Sequence, residues 1–473
     1  MVRAMAWLAP ALLGAGLMAP GMAARWVGSF DANGALYSTA ARNYLRYGLA
    51  ATRGGQVCNA GALGPGDFRF YSHHPPGISL ALAASFAALG ESEWAARLVP
   101  LLFTLGAAVC LQRVGRALGG QLAGGLAAIA FVLQPMIVLY GRMPDHEAPA
   151  AFFALLLATL YVNWQGDGRR RWLAAMAVAA FLGVWFAWVV AVVPWLLLAH
   201  GLVVKRRGAA GLLAPVAAGV AGFATVLGHI ALVEGGLGGL WAALAHRVGT
   251  QAGDRLGDGH FGAGEFLARQ GLYLWRGFSF IALAAALLWL VGPGRRKGSN
   301  GLLVGALGAF ALFNVLAFRQ GAYVHIYYQF YLAAPLALAC GQALAWAWRR
   351  AGRFAGPLLA LGLLAGVAAE AWHKVVPARL GAAFDAFYPA HLWLAEHLAC
   401  HTEPSDKVLL RCDWRSSFRQ VAYYADRNIL VVPEMDAAKK LWAEGRFNKA
   451  FNVHWISGWS IAPLFAGHPS PSR

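Results

Sequence analysis

Long apolar stretches alternate with short basic or glycine-rich breaks along most of the chain. Each of the longer stretches approaches the ~20 residues that a helix needs to cross a bilayer. In hydrocarbon the backbone must satisfy its own hydrogen bonds, so such stretches fold as helices and not as open strands. We therefore predict eleven spans, at about residues 4–24, 94–112, 119–140, 147–164, 172–187, 189–204, 210–233, 272–292, 301–318, 328–347 and 355–371.

The pattern changes after Trp372, where apolar runs become short and polar residues more frequent. Periodicity there predicts two strands and two helices, the strands at 408–410 and 428–432 and the helices at 389–399 and 435–446. We expect a transmembrane module over 1–371, whose first outer loop (25–93) carries interfacial helices, and a small extracytoplasmic α/β domain over 372–473. A Cys400–Cys412 disulfide in that domain is left open.

Composition and charge agree with a polytopic membrane protein, because 59% of the 473 residues are hydrophobic and only 13% are charged. The net charge of +18 resides largely in short loops between apolar stretches, which argues against nucleic-acid binding. Basic loops orient spans toward the cytoplasm, and an N-terminus inside makes every such loop basic: 113–116, 169–171, 205–207, 295–297 and 349–353. This orientation requires that 77–89 does not cross the membrane, so we predict an interfacial or re-entrant segment there.

Two acidic sites are expected at outer helix ends. Asp31 follows the first apolar stretch, and Asp145-His146-Glu147 begins where the third stretch ends. If both ends lie on one side of the bilayer, two carboxylates reach the same membrane surface. The alternatives are structural, since Asp31 could cap a helix starting near Gly34 and the second cluster could cap the fourth span.

The first outer loop opens with a helical pattern of apolar residues at 36, 40, 41, 44 and 45, with Tyr37 and Arg42 in the same segment. An amphipathic helix lying on the membrane would hold Asp31 near the surface. The loop closes at Tyr71-Ser72-His73-His74-Pro75-Pro76, where the prolines fix the backbone.

The order of these motifs resembles the membrane glycosyltransferases of the GT-C superfamily. The resemblance rests on the Asp after the first helix, the His-Pro-Pro turn and three further stretches, at 90–100, 141–145 and 327–335. The most similar families are bacterial relatives of protein O-mannosyltransferases (the glycosyltransferase family 39 type), lipid A aminoarabinose transferases and rhizobial lipopolysaccharide galacturonosyl transferases. The likeness covers about residues 25–200 well and is nearly absent in the C-terminal domain.

The resemblance implies an all-α GT-C enzyme of the bacterial inner membrane. Its donor is a polyprenyl-phosphate sugar, its acceptor a lipid, glycan or protein, and the carboxylate on the first outer loop, here Asp31, is the catalytic base. A base suits the chemistry because the acceptor hydroxyl must lose its proton as it attacks the anomeric carbon. Asp145 would orient the acceptor or tune Asp31. The donor phosphate and substrate would be held by Arg42, His74, Arg142, Arg319, His325 and Tyr37.

Two departures from the family pattern stand out. Ala32 follows the first Asp where many relatives have an acid, and His74 precedes Pro-Pro where many have Lys. His74 neutralises phosphate only when it is protonated, so its contribution should depend on pH. We read Arg97 as an anchor of the second span.

No glycine-rich nucleotide loop lies between a strand and a helix, which fits a lipid-linked donor. We predict no cofactor and no obligatory metal; the loop 254–260 is interpreted as a mobile loop or lid rather than a cation site. The alternative functions are a transporter of lipid-linked sugars and a non-catalytic subunit of envelope glycan assembly. Transporters place polar residues near the membrane centre, whereas the acids here lie at helix ends, which favours the enzyme.

Overall fold

The computed structural model describes residues 2–28, 31–204, 207–253, 259–292, 299–384, 387–412, 418–455 and 459–465. Parts of three predicted loops therefore lie outside the described residues, at 205–206, 254–258 and 293–298. The contacts divide the chain into two compact units. Unit 1 comprises Met1–Met22, Ser72–Gly77 and Leu98–Val376, and unit 2 comprises Ala23–Tyr71, Ile78–Arg97 and Pro377–Arg473. This differs from the predicted division at 371/372, because most of the first outer loop groups with the C-terminal residues.

Helices dominate the described part of the chain. In chain order they are α1 Val2–Met18, α2 Asp31–Thr52, α3 Gly77–Leu89, α4 Glu93–Gly119, α5 Gln121–Val132, α6 Pro135–Tyr140, α7 Glu147–Asp167, α8 Arg170–Phe186, α9 Val192–Val204, α10 Leu213–Glu234, α11 Gly238–Val248, α12 Ala263–Gly277, α13 Phe280–Val291, α14 Ser299–Ala317, α15 Arg319–Val324, α16 Ala333–Phe384, α17 Phe387–His401, α18 Arg419–Ala425 and α19 Met435–Ala443. The strands are β1 Lys407–Cys412, β2 Asn428–Val432, β3 Lys449–Trp455 and β4 Trp459–Pro463.

Four helical segments of the described residues are long and apolar enough to cross a membrane: Glu93–Gly119, Glu147–Asp167, Ala209–Glu234 and Ile326–Ala378. The bent pair α12 and α13 would add a fifth. The predicted count of eleven spans is therefore not confirmed by length and composition. Shorter apolar helices occupy several of the other predicted stretches, at Leu8–Met18, Gln121–Val132, Trp188–Val204 and Gly301–Ala317.

Two predicted spans are broken in the structure. The stretch 119–140 forms α5 and α6, separated at Gln134, whose extended backbone precedes Pro135. The predicted span over 272–292 covers the end of α12 and all of α13, and these two helices meet at 111° on either side of residues 278–279. Apolar composition continues through both breaks, so hydropathy alone cannot locate them. By contrast, the predicted gap between 347 and 355 coincides with a break in α16 at Gly352, whose φ of +83° favours glycine.

Unit 2 contains a four-stranded sheet in the order β2-β1-β3-β4, with β1 parallel to β2 and β3, and β4 antiparallel to β3. Alternation along β1 gives the sheet two apolar faces. Val408 and Leu410 pack with α17 and α18 on one face, and Leu409 packs with α19 on the other. The two predicted strands and two predicted helices are confirmed, whereas β3, β4 and α18 were not predicted.

The helix predicted at the start of the first outer loop is confirmed as α2. Its buried face includes Tyr37, Ala40, Ala41 and Tyr44, and α2 packs on α18 within unit 2. All five cysteines lie among the described residues and none forms a disulfide, so Cys400 and Cys412 are not bridged.

Candidate active site

Asp31 is the first residue of α2, and its carboxylate is held from one side by backbone N–H groups. Oδ2 accepts hydrogen bonds from the N–H groups of Val27 at 3.1 Å and Gly28 at 2.7 Å. Both donors precede the helix, so capping of the first helical turn does not account for them. The side chain is 28% exposed, which leaves the carboxylate open to a substrate.

Oδ1 of Asp31 faces a buried guanidinium. Nη2 of Arg97 lies 3.5 Å from it, and Nη1 of Arg97 donates to the carbonyl of Ala24. The guanidinium also lies over the ring of Trp26, 4.0 Å from its centroid. This ion pair could not be predicted from the sequence, because residues 31 and 97 are far apart in the chain and only the fold brings them together.

The second acidic cluster, Asp145-His146-Glu147, is buried in unit 1 at the start of α7. Oδ1 of Asp145 lies 2.6 Å from Nδ1 of His146, and Oε1 of Glu147 lies 3.4 Å from Nε2 of the same ring. The imidazole thus bridges two carboxylates. Ligand atoms of the three residues lie within 4.8 Å of one another, a donor set that suits a divalent cation.

His74 stacks on His146, and the two rings titrate in opposite directions. Burial would lower the pKa of His146, but the charges of Glu147 and Asp145 outweigh burial and raise this pKa to about 9. Burial and the charge of His146 together hold the pKa of His74 well below 6.5. Of the two rings, His146 therefore carries the proton at neutral pH; the sequence predicted no role for this residue.

Arg42 forms ion pairs within unit 2. Its guanidinium lies 2.6 Å from Glu91 and 3.3 Å from Asp426, and it stacks over the ring of Tyr423 at 4.2 Å. Arg46, one turn further along α2, binds Asp426 through both carboxylate oxygens. These contacts tie α2 to the residues after α18; the phosphate role predicted for Arg42 stays a prediction.

The other predicted cations contact backbone carbonyls or aromatic rings of unit 1. Arg142 donates to the carbonyls of Met18 and Pro20 at the end of α1. Arg319 donates to the carbonyl of Val248, and His325 stacks on Tyr327 with centroids 4.9 Å apart. Tyr37 lies in unit 2, where it is buried against the edge of Tyr71. The structure thus brings His74 together with the Asp145 cluster, and Asp31 together with Arg97.

A family model described as dolichyl-phosphate-mannose-protein mannosyltransferase matches residues 73–231. Among solved structures, ArnT from Cupriavidus metallidurans bound to undecaprenyl phosphate is 15% identical with a TM-score of 0.64, over 95% of this chain and 92% of that chain. The archaeal oligosaccharyltransferase AglB from Archaeoglobus fulgidus, in complex with an inhibitory peptide and a dolichol-phosphate, is 13% identical with a TM-score of 0.60, over 95% of this chain and 69% of that chain. No curated protein matches the sequence.

These likenesses define the class of the fold. The chain has the fold of the GT-C superfamily of membrane glycosyltransferases, and the resemblance seen in the sequence is confirmed. Within that superfamily, the matching family model is that of the mannosyltransferases.

Proposed function

We propose that the protein is an inverting glycosyltransferase that moves one sugar from a polyprenyl-phosphate carrier to an acceptor at the outer face of the bacterial inner membrane. The observation that carries the proposal is the GT-C fold, matched over 95% of this chain by a structure bound to undecaprenyl phosphate. A lipid phosphate of that kind is the leaving group that the reaction would release. The acceptor supplies a hydroxyl, on a lipid, a glycan or a protein.

Asp31 is proposed as the general base. The proton of the acceptor hydroxyl passes to the Asp31 carboxylate as the acceptor oxygen forms a bond to the anomeric carbon. The bond from that carbon to the phosphate oxygen breaks, its electron pair leaves with the lipid phosphate, and the configuration inverts. General-base assistance of this kind contributes about 10²–10⁴-fold.

Three observations support Asp31 in this role. Its Oδ2 is fixed by two backbone N–H groups, its side chain is 28% exposed, and a buried guanidinium faces Oδ1. These contacts hold the carboxylate in one orientation for proton transfer.

The leaving phosphate carries negative charge that nearby cations would stabilise. We propose that cationic side chains stabilise the leaving phosphate, namely those of Arg42, Arg142, Arg319 and His325. His74 suits it less at neutral pH, because its low pKa leaves the ring uncharged. Asp145 is proposed to orient the acceptor, and Tyr37 to line the substrate site.

The test is release of free lipid phosphate by the purified protein, supplied with a labelled polyprenyl-phosphate sugar and an envelope extract as acceptor. Asp31→Asn should lower turnover at least ~100-fold. Asp67→Asn is the matched control, since Asp67 is a carboxylate of the same outer loop that pairs with Lys407 and has no proposed role in the reaction.

Normal turnover by Asp31→Asn, with the thermal stability of the wild type, would refute the base assignment. Movement of the donor across liposomes without sugar transfer would instead support a transporter. Neither transfer nor movement, with any donor sugar tested, would favour the non-catalytic subunit.

A further inference from the structure

The first turns of α4 present a charged pair to the loop that leads into α2. Glu93 and Arg97 are four residues apart and so lie on the same face of α4. Arg97 is only 5% exposed. A guanidinium that anchored a span at the membrane surface would reach toward head groups, whereas this one is enclosed by protein.

Residues on the N-terminal side of α2 surround that guanidinium. Arg97 contacts the carbonyl of Ala24, the ring of Trp26 and the carboxylate of Asp31. A planar guanidinium can make these contacts at once, because its donors point outward in the plane while its face stacks on an aromatic ring.

Trp26 is held in place from the other side by α2. A Cβ at Gly34 would lie 2.5 Å from the Trp26 ring, so only glycine leaves room for it. The N–H of Trp26 also donates to the hydroxyl of Tyr424, which donates to Glu93. The loop is therefore fixed by both Glu93 and Arg97.

We infer that Arg97 is a positioning residue for Asp31: its buried guanidinium fixes Ala24 and Trp26 ahead of α2 and holds the carboxylate oriented for proton transfer. This inference rests on the proposed function, in which Asp31 is the base. Nη2 of Arg97 lies 3.5 Å from Oδ1, while backbone N–H groups hold Oδ2, so both carboxylate oxygens have a fixed direction.

Kinetics of Arg97 variants test the inference. Arg97→Gln should lower kcat at least ~10-fold with little change in the KM for the lipid-linked donor, because the variant disturbs the base and not donor binding. Arg97→Lys keeps the charge and one donor group, so it should recover part of kcat, again with the donor KM of the wild type.

Arg46→Gln is the matched control, since it also removes an arginine–carboxylate pair from unit 2 but the partner is Asp426. It should keep the wild-type kcat and donor KM. If Arg97→Gln does not fold, Arg97→Lys decides the matter: a lowered kcat with an unchanged donor KM supports the inference, and wild-type kcat overturns it.

The outcomes separate this inference from the proposed function. An active Asp31→Asn variant refutes the base itself. An inactive Asp31→Asn variant together with an unaltered Arg97→Gln variant refutes only the positioning role, as does an Arg97→Gln variant that raises donor KM without lowering kcat. When the two residues act as one unit, the double variant is no slower than Asp31→Asn alone.

Discussion

His74 and His146 stack with ring centroids 3.8 Å apart and planes inclined by 22°. The two imidazoles share a buried site but differ in charge at neutral pH, because only His146 lies between two carboxylates. One positive charge thus balances part of the negative charge of the Asp145 cluster. The stacked His74 covers this charge with a neutral ring.

The raised pKa of His146 predicts a pH-dependent stability. The folded-state pKa of about 9 lies above the unfolded value of about 6.5. The stabilisation is therefore complete below pH 6.5 and is lost as the pH rises toward 9. We expect His146→Gln to reduce the free energy of unfolding by on the order of 2–3 kcal/mol at pH 6 and by much less at pH 9.5.

Thermal unfolding in detergent, measured for wild type and variant across this range, checks the prediction. His260→Gln serves as the control, because His260 is exposed. A gap between His146→Gln and wild type that stays constant from pH 6 to pH 9.5 would show that the proton on His146 has no part in stability.

The same cluster predicts how the protein responds to metal removal. The His146 imidazolium lies between the carboxylates of Asp145 and Glu147, in the place where a divalent cation would otherwise balance them. We expect sugar transfer by the wild type to survive EDTA. His146→Asn leaves the two acids uncompensated, so this variant should be destabilised and should regain stability when Mg²⁺ or Zn²⁺ is added.

Loss of wild-type activity in EDTA, with recovery on adding back one metal, would contradict this prediction. The stability of His146→Asn is the independent measurement, because metal binding raises thermal stability whether or not the variant is active.

The sequence predicted the parts of this molecule that depend on local pattern. Apolar runs located most helices, and alternation located β1 and β2. Asp31 and Asp145 stand out in the sequence by their position at helix ends, and their roles stay predictions. The contacts of Arg97 and the His74–His146 stack could not be predicted, since each joins residues that are remote in the chain. Hydropathy likewise missed the bend at residues 278–279, which polar groups of distant helices stabilise.

We expect a second pH dependence of stability from the Asp426 carboxylate in unit 2. Burial would raise the pKa of its carboxyl, but the hydrogen bonds of Arg46 and the charge of Arg42 lower it below its usual value. Its stabilisation is present at neutral pH and is lost as the pH falls through that lowered pKa. Asp426→Asn keeps the left-handed backbone at φ +50°, which asparagine tolerates. We expect a loss of about 1 kcal/mol at pH 7 that narrows toward pH 3.

The measurement is thermal or denaturant unfolding of wild type and Asp426→Asn at pH 7 and at acid pH. Asp436→Asn is the control, because that carboxylate is almost fully exposed. Equal stability of Asp426→Asn and wild type at pH 7 would mean that the two arginines gain nothing from this carboxylate.

Glu370 stabilises the bend between α12 and α13, so its replacement should lower the free energy of unfolding. Its Oε1 accepts from the N–H of Phe280 at 2.9 Å, and its Oε2 accepts from the hydroxyl of Ser279. Lys374, one turn further along α16, donates to the carbonyl of Phe278 at 2.7 Å. The side chains of α16 thus satisfy backbone groups that the 111° bend removes from helical hydrogen bonding.

We expect Glu370→Ala to lower the free energy of unfolding by about 1–3 kcal/mol. Glu370→Gln keeps one carbonyl oxygen as an acceptor and should lose less. Unfolding of both variants in detergent gives the comparison. Wild-type stability in Glu370→Ala would show that water, or another group, satisfies the N-terminus of α13 equally well.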